Sequence, residues 1–273
     1  MPEIKAFISD LDDTLLTEEH QLTDRTAQTL QRLLRQGIKV ALASGRSAAS
    51  MWPTVQKVGT PYPYIAYNGA QIVDSKTRKV LSSNEIPMAL AKEVLAWFES
   101  RGIYCQYYEG DNWYYAKRCD ISDEYGKSSG IIGTDAGMPL HQAVSSDVPK
   151  LLAVEDPRKV PALIEESRKA FGDQLIITTS KPFFIEITSP LATKGNAVRT
   201  LADMIGLSPE TTICAGDSLN DLSMLRWSKL PVTVSNARAE IQAIAWRVAG
   251  DGHQDGMAIL LDEIIPEVDE HAH

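Results

Sequence analysis

Cysteine is scarce in this chain, and long apolar runs are absent. The 273 residues include three cysteines, Cys105, Cys119 and Cys214, which are odd in number and lack a Cys-x-x-Cys spacing. This distribution argues against a disulfide framework and against a zinc site. No stretch reaches the roughly 18 apolar residues of a membrane span, and the N-terminus lacks an apolar segment of signal-peptide length. We therefore expect reduced thiols, a cytoplasmic location and no membrane partner.

Basic residues are also in deficit. Lys and Arg number 27 against 36 Asp and Glu, which gives a formal net charge of −9. An acidic total without a basic block argues against a nucleic-acid partner. The terminal His271 and His273 resemble a frayed tail rather than metal ligands. With 44% apolar residues the chain can form a sizeable core, as one large domain or two smaller ones.

Both ends of the chain alternate strand and helix patterns. Residues 4–9 and 38–43 are short, apolar, strand-like runs, and residues 23–36 have apolar positions at helical spacing before Gly37, a suitable helix cap. A third strand is predicted in the PYIAYNGA stretch. Strands separated by helices predict parallel pairing, right-handed crossovers and a sheet covered on both faces. We predict an α/β fold with a Rossmann-like three-layer core.

The middle of the chain differs from its two ends. Between about residues 74 and 190 the strand patterns come in pairs and aromatic residues concentrate, and after residue 192 the strand–helix alternation returns. An alternating frame that is interrupted and resumed indicates one domain inserted into another. We predict a core formed by residues 1–84 and 191–273 and an inserted α/β domain at 85–190. The aromatic cluster is expected to pack on helices, with contact to a ligand as the alternative.

Acidic side chains follow the predicted parallel strands. Asp10 and Asp12 end the first strand, and Asp217 and Asp221 follow the strand near Ile213. Because ligands of open parallel sheets bind beyond the carboxyl ends of the strands, these four carboxylates should meet at one edge. They would repel each other without a cation, and oxygen donors without His or thiolate suit Mg²⁺.

Such an arrangement can transfer phosphate. A metal-bound Asp10 can attack phosphorus to form an aspartyl-phosphate, while Asp12 protonates the leaving oxygen and later deprotonates the attacking water. Taken singly, each Asp could be an ordinary turn or helix cap, Ser44 a loop hydroxyl and Lys194 a surface lysine. Their occurrence together at successive strand ends favours function.

At these residues the chain resembles the haloacid dehalogenase superfamily of aspartate-based phosphatases, and within it the Cof-type branch of sugar phosphatases. DLDDTLL is similar to the first motif, SGR to the second, TKG to the third and GDSLND to the fourth. Further Cof-type features are YNGA, FFIEITSPLATKG, VSNARAEI and DGMA. The order and spacing of these motifs over nearly the whole chain carry the resemblance.

The resemblance implies a role for each matching residue. Asp10 would be the nucleophile and Asp12 the general acid and base, and Mg²⁺ would be held by Asp10, the Asp12 backbone carbonyl and Asp217. Asp221 would support the metal and the lysine from behind. The implied substrate-binding residues are Ser44, Gly45, Asn68, Gly69, Lys194 and Asn220. The inserted domain would be a cap that closes over the core and selects small phosphorylated metabolites.

Asp13 departs from the family, which usually has Gly there. Gly accepts an unusual backbone conformation freely, and Asp tolerates one better than most residues. We expect an unusual backbone conformation at this position and a side chain that points outward or caps the turn, outside the catalytic set.

Three other functions stay open. A phosphotransferase or phosphomutase would use the same aspartyl-phosphate but pass it to a second hydroxyl. A receiver-like signalling module would hold a long-lived phosphoaspartate, although such domains are shorter and lack a large insertion. A purely structural protein would leave the acidic edge unexplained. The oligomeric state is not readable from the sequence.

Overall fold

The computed structural model describes residues 2–179 and 181–267, so His271 and His273 lie outside the described residues. The chain divides into two compact units, one from residues 1–82 and 193–273 and the other from residues 83–192. The boundaries at 84/85 and 190/191, and the role of the middle segment as a cap, stay predictions.

The elements are numbered in chain order. The strands are β1 (Ala6–Ser9), β2 (Lys39–Leu42), β3 (Tyr64–Ala66), β4 (Gln71–Val73), β5 (Val80–Ser83), β6 (Tyr104–Glu109), β7 (Asn112–Tyr115), β8 (Thr134–Asp135), β9 (Leu151–Val154), β10 (Ile176–Thr178), β11 (Phe184–Thr188), β12 (Thr212–Ala215), β13 (Leu230–Val234) and β14 (Arg247–Ala249). The helices are α1 (Asp24–Arg35), α2 (Ala48–Val58), α3 (Met88–Glu99), α4 (Asp120–Ser129), α5 (Leu140–Ala143), α6 (Val160–Phe171), α7 (Lys194–Ile205), α8 (Leu222–Trp227), α9 (Ala239–Gln242) and α10 (Gly256–Ile264).

A parallel sheet in the order β14-β13-β12-β1-β2 forms the centre of the first unit. The interior strand β1 is buried along its whole length, as expected for a strand covered on both faces. The predicted α/β class, with a parallel core sheet and an inserted α/β segment, is confirmed.

The order of the strands reverses at β1. The chain moves from β1 to β2 on one side and from β12 through β13 to β14 on the other. With right-handed crossovers, this reversal puts helices on both faces of the sheet, and α1 packs on α10 while α7 packs on α8. The point of reversal in an open α/β sheet is where ligands bind, at the carboxyl ends of the strands. The acidic residues that follow β1 and β12 lie at this point.

The first predicted helix is close to the observed one. Thr23 caps α1, because its side chain accepts a hydrogen bond from the Thr26 backbone N–H at 3.0 Å. The turn that follows uses Gly37 at φ +81°. A polar cap residue and a left-handed glycine therefore define both ends of this element, as the sequence indicates.

The prediction for the third strand is only partly right. β3 touches the parallel sheet through a single parallel bridge between Ala43 and Ile65. Its main partner is β4, which runs antiparallel to it. The three residues after β3, Tyr67, Asn68 and Gly69, all have positive φ, and this tight reversal returns the chain beside β3 instead of continuing to a crossover.

The second unit is built on a six-stranded sheet in the order β10-β11-β9-β6-β7-β8, antiparallel except for the pair β7–β8. One face carries the hydrophobic core, in which Tyr107 packs among the side chains of α3 and α6 and stacks on Tyr114 at 4.9 Å. Tyr108 and Trp113 lie on the other face beside Tyr125 of α4. Within the described part of the chain, no helix is both long and apolar enough for a bilayer crossing.

Candidate active site

Asp10 and Lys194 meet at the end of β1. Lys194 begins α7 and is fully buried, and its ammonium donates hydrogen bonds to Asp10 and to Asp221, the latter at 2.5 Å. Burial opposes the charge on the lysine, but the two carboxylates outweigh it and raise its pKa. Burial raises the pKa of Asp10, a shift that Lys194 opposes. One buried ammonium thus links two acidic residues from distant parts of the chain.

Asp221 has both of its carboxylate oxygens engaged. Oδ1 accepts from Lys194, and Oδ2 accepts the backbone N–H groups of Asp217 and Ser218, each at 3.1 Å. This residue therefore shapes the GDSLND loop and orients the lysine. Its predicted role, to support the metal and the lysine from behind, stays a prediction.

Asp217 stands opposite Asp10 at the end of β12. Its Oδ1 accepts a hydrogen bond from the Thr14 hydroxyl at 3.0 Å. Burial, together with Asp221 and Asp13 nearby, raises the pKa of Asp217 to about 6. A cation bound beside Asp217 would therefore stabilise the ionised form of its carboxylate.

The three carboxylates of Asp10, Asp217 and Asp221 offer oxygens that all lie within 4.8 Å of one another. Among the described residues the ammonium of Lys194 pairs with two of them, so the three carboxylates, when ionised, carry more negative charge than it offsets. A divalent cation would balance this charge, and an all-oxygen donor set suits Mg²⁺. Because Asp221 is fully engaged, Asp10 and Asp217 are the side chains free to hold it. The donor set therefore fits the predicted ion.

Asp12 points to a different partner. Its carboxylate receives a two-point contact from Arg46, with Nε at 2.9 Å from Oδ2 and Nη2 at 2.5 Å from Oδ1, and His20 Nδ1 lies 3.1 Å from Oδ1. Burial favours the neutral acid, but Arg46 outweighs it and lowers the pKa of Asp12. Asp12 is thus held ionised in this structure.

The predicted phosphate-binding residues cluster at the end of β2 and beside it. Ser44 is buried, its Oγ accepts the Arg46 N–H at 3.1 Å, and its carbonyl accepts the Asn68 N–H at 2.9 Å. Asn220 donates from Nδ2 to Asn68 Oδ1 at 2.9 Å, and Gly45 packs against the Asn68 side chain. These residues from separate loops are brought together at the same sheet edge.

Gly69 is required by a close approach. A Cβ at this position would lie 2.3 Å from the Thr193 carbonyl oxygen, and the backbone has φ +103°. Both conditions exclude other residues. Gly69 therefore lets the 67–69 turn pack directly on the start of α7, where Lys194 emerges.

Asp13 has the unusual backbone conformation expected at this position, in the left-handed region with φ +58°. The side chain is largely exposed and accepts a hydrogen bond from His253 Nε2 at 2.8 Å. Asp13 contributes to the shape of the catalytic loop, and its carboxylate is directed to His253.

Sequence reasoning missed Arg46, Thr14 and His20. Arg46 stands in the SGR motif, of which only Ser44 and Gly45 were given a role, and Thr14 stands in the DLDDTLL motif. A signal for Thr14 is weak, because a hydroxyl four residues after a carboxylate is common in turns. His20 lies in a loop with φ +59°, and nothing in its surroundings in the sequence points to Asp12.

The sequence profile of the haloacid dehalogenase-like hydrolases matches residues 7–261. The chain belongs to this family. The carboxylates of Asp10 and Asp217 lie at the ends of β1 and β12, and their catalytic roles stay predictions. The predicted family and the predicted enzyme class, a phosphatase, are confirmed.

Relatives with names that state an activity span nearly the whole chain. Phosphatase YwpJ of Bacillus subtilis is 26% identical over 96% of this chain and 100% of its own length. The HMP-PP phosphatase of Cronobacter sakazakii is 25% identical over 95% of this chain and 93% of its own. The solved structure of TM0651 from Thermotoga maritima is similar with a TM-score of 0.89 and 26% identity, covering 95% of this chain and 97% of that one.

Proposed function

We propose that this enzyme is a Mg²⁺-dependent phosphatase that hydrolyses small phosphorylated metabolites through an aspartyl-phosphate on Asp10. The observation that carries the proposal is the convergence of Asp10, Asp217 and Lys194 at the reversal point of the sheet. Bound Mg²⁺ would supply charge neutralisation for the carboxylates and the incoming phosphate.

Asp10 is the residue placed to attack phosphorus. Its carboxylate oxygen forms a bond to phosphorus, and the bond between phosphorus and the ester oxygen breaks. In the second step water attacks the same phosphorus, which releases inorganic phosphate and restores the Asp10 carboxylate. Lys194, buried beside Asp10, offsets the negative charge of the phosphoryl group.

Asp12 handles the protons in both steps. The ionised form, which Arg46 favours, can take the proton of the attacking water. To protonate the leaving alkoxide it must first carry a proton, so the contact with Arg46 has to loosen before the first step. Arg46 is therefore expected to control which protonation state of Asp12 is present.

Substrate contacts are assigned to the residues at the adjoining loops. Ser44 would donate its hydroxyl to a phosphoryl oxygen, and Lys194 its remaining N–H. The Gly45 and Gly69 backbones and the Asn68 and Asn220 amides would line the entrance.

The second unit is proposed as a cap that selects the leaving group. Its residues 83–192 are inserted between the second and third motifs, and caps of this kind exclude water and restrict substrates to small esters. Sugar phosphates and cofactor-like phosphate esters are the substrate classes that we expect. A cytoplasmic location would match such metabolites.

A phosphate-release screen tests the proposal. Sugar phosphates, nucleotides, flavin mononucleotide and pyridoxal phosphate would be assayed with Mg²⁺ or with EDTA. Asp10→Asn should abolish release, and Asp203→Asn, on the exposed side of α7, is the matched control that should keep it. Full activity of Asp10→Asn would end the mechanism, and transfer of phosphate to a second hydroxyl would point to a phosphotransferase.

A further inference from the structure

The loop after β13 touches both loops that carry the proposed metal ligands. Asn236 donates from Nδ2 to the Asp13 carbonyl at 2.8 Å, on the loop that follows β1. Two residues later, the Arg238 N–H donates to the Asp217 carbonyl at 3.2 Å, on the loop that follows β12. A four-residue segment, Ser235 to Arg238, therefore bridges the two.

The segment is held in place from behind. Asn236 Oδ1 accepts the Gly252 N–H at 2.9 Å, so the two ends of one amide connect residues 13 and 252. Gly252 also approaches the catalytic loop directly, because a Cβ there would lie 2.5 Å from the Asp13 carbonyl oxygen. Space beside the Asp13 carbonyl is thus filled by Asn236 on one side and by the Gly252 backbone on the other.

The Thr14 side chain provides a further link between the two loops. Thr14, which follows Asp13, donates its hydroxyl to Asp217 Oδ1 at 3.0 Å. The position of Asp217 relative to the loop of Asp10 and Asp12 is therefore fixed at three points: the Thr14 hydroxyl, the Asn236 amide and the Arg238 backbone.

We propose that Asn236 is a positioning residue that sets the spacing between the Asp10–Asp12 loop and Asp217, and so the affinity for the divalent cation. The inference rests on the proposed function of this site. Partners of this kind, which orient ligands without touching the ion, typically change metal affinity by roughly 10- to 100-fold when they are removed.

A purely structural role has a different signature. Asn236 is exposed, and its loss removes no core packing. Its substitution still breaks two hydrogen bonds, including the one from the buried Gly252 N–H, so we expect a modest fall in the urea midpoint measured in EDTA. Weaker cation binding in a variant that stays fully folded under the binding conditions is what separates positioning from folding.

The test compares cation binding with stability. Mn²⁺ binding to the full chain, followed by electron paramagnetic resonance and competed with Mg²⁺, would be measured for the wild type, Asn236→Ala and Gly252→Ala. Asn112→Ala, at an exposed position in the second unit, is the control. We expect roughly tenfold weaker binding in both first-unit variants and an unchanged control, with a urea midpoint for Asn236→Ala that shows it to be fully folded under the binding conditions.

The outcomes separate this inference from the proposed function. Wild-type cation affinity in Asn236→Ala, or weaker binding that is fully accounted for by an unfolded fraction of the variant, would overturn the positioning role. Gly252→Ala gives a second reading, because it pushes the same carbonyl from the opposite side, and wild-type binding there would also count against the role. A wild type that binds Mn²⁺ but hydrolyses no phosphate ester would refute the proposed function and leave the positioning role standing.

Discussion

Replacing Lys194 by Met should destabilise the first unit strongly. Lys194 is fully buried and is the partner of two buried carboxylates, Asp10 and Asp221. Met fills a similar volume, so the cost arises from charge and not from a cavity. Breaking a buried ion pair by removing one partner typically costs about 3–5 kcal/mol, because an uncompensated charge stays in the interior. Such a loss is a large part of the roughly 5–15 kcal/mol that stabilises a typical protein.

The stability lost in Lys194→Met should depend on pH. Lys194 lowers the pKa of Asp10, so its removal raises a pKa that burial already raises. A group whose folded pKa exceeds its unfolded value takes up a proton on folding, and its charge costs stability as the pH rises. The gap in unfolding free energy between wild type and Lys194→Met should therefore be larger at about pH 8 than at about pH 5.

Urea unfolding in EDTA measures this gap. Lys5→Met is the matched control, since Lys5 is exposed and pairs with exposed Glu3 at 3.1 Å, and it should change the unfolding free energy by about 0.5 kcal/mol or less. A loss below about 1 kcal/mol for Lys194→Met, or a gap that widens at low pH, would refute the reasoning.

Three further predictions concern charge at the site. Because Asp12 must be protonated in the first step, Arg46→Ala should raise the pKa of Asp12 and move the basic limb of kcat/KM to higher pH, with Arg46→Lys shifting it less; an unmoved limb would show that Arg46 does not control Asp12. Asp13→Asn should lower the pKa of His253, which Asp13 raises, in a proton NMR titration. Stability from a raised His pKa is present below its unfolded value, near pH 6.5, and is lost as the pH rises through the folded value. The difference in stability between wild type and variant should therefore be greater at about pH 6 than at about pH 8.5, and an equal difference would contradict the pairing. Mg²⁺ should raise the Tm, and the rise should be larger at about pH 8 than at about pH 5, because Asp217, with a pKa of about 6, is ionised only at the higher pH. Asp217→Asn should abolish the rise; a rise that survives this variant would put the ion elsewhere.

Much of the core could be predicted because local pattern and tertiary structure agree there. The strand that precedes Asp10 is short, apolar and buried on both faces. The helix that Thr23 caps combines a polar cap residue with apolar residues at helical spacing. Since ligands of parallel sheets bind at strand ends, Asp10 and Asp217 could be paired from 207 residues apart without coordinates. The structure puts their oxygens within 4.8 Å.

What escaped prediction depends on contacts that no local pattern encodes. Arg46 is 34 residues from Asp12, and its choice of that carboxylate follows from the packing of two strand ends. The antiparallel return after β3 depends on positive φ at Tyr67 and Asn68, of which only the Asn-Gly pair gives a sequence signal. Loops such as the one carrying Asn236 are positioned by the sheet as a whole, so their partners appear only in three dimensions.

Trapping the phosphorylated enzyme tests the central claim most directly. The protein would be mixed with its best phosphate ester and Mg²⁺, quenched in acid within the first turnover and digested for mass spectrometry. The peptide that contains Asp10 should gain the mass of one phosphoryl group, with none gained in EDTA or in Asp10→Asn. Turnover without phosphate on Asp10, or with phosphate on another residue, would contradict the account.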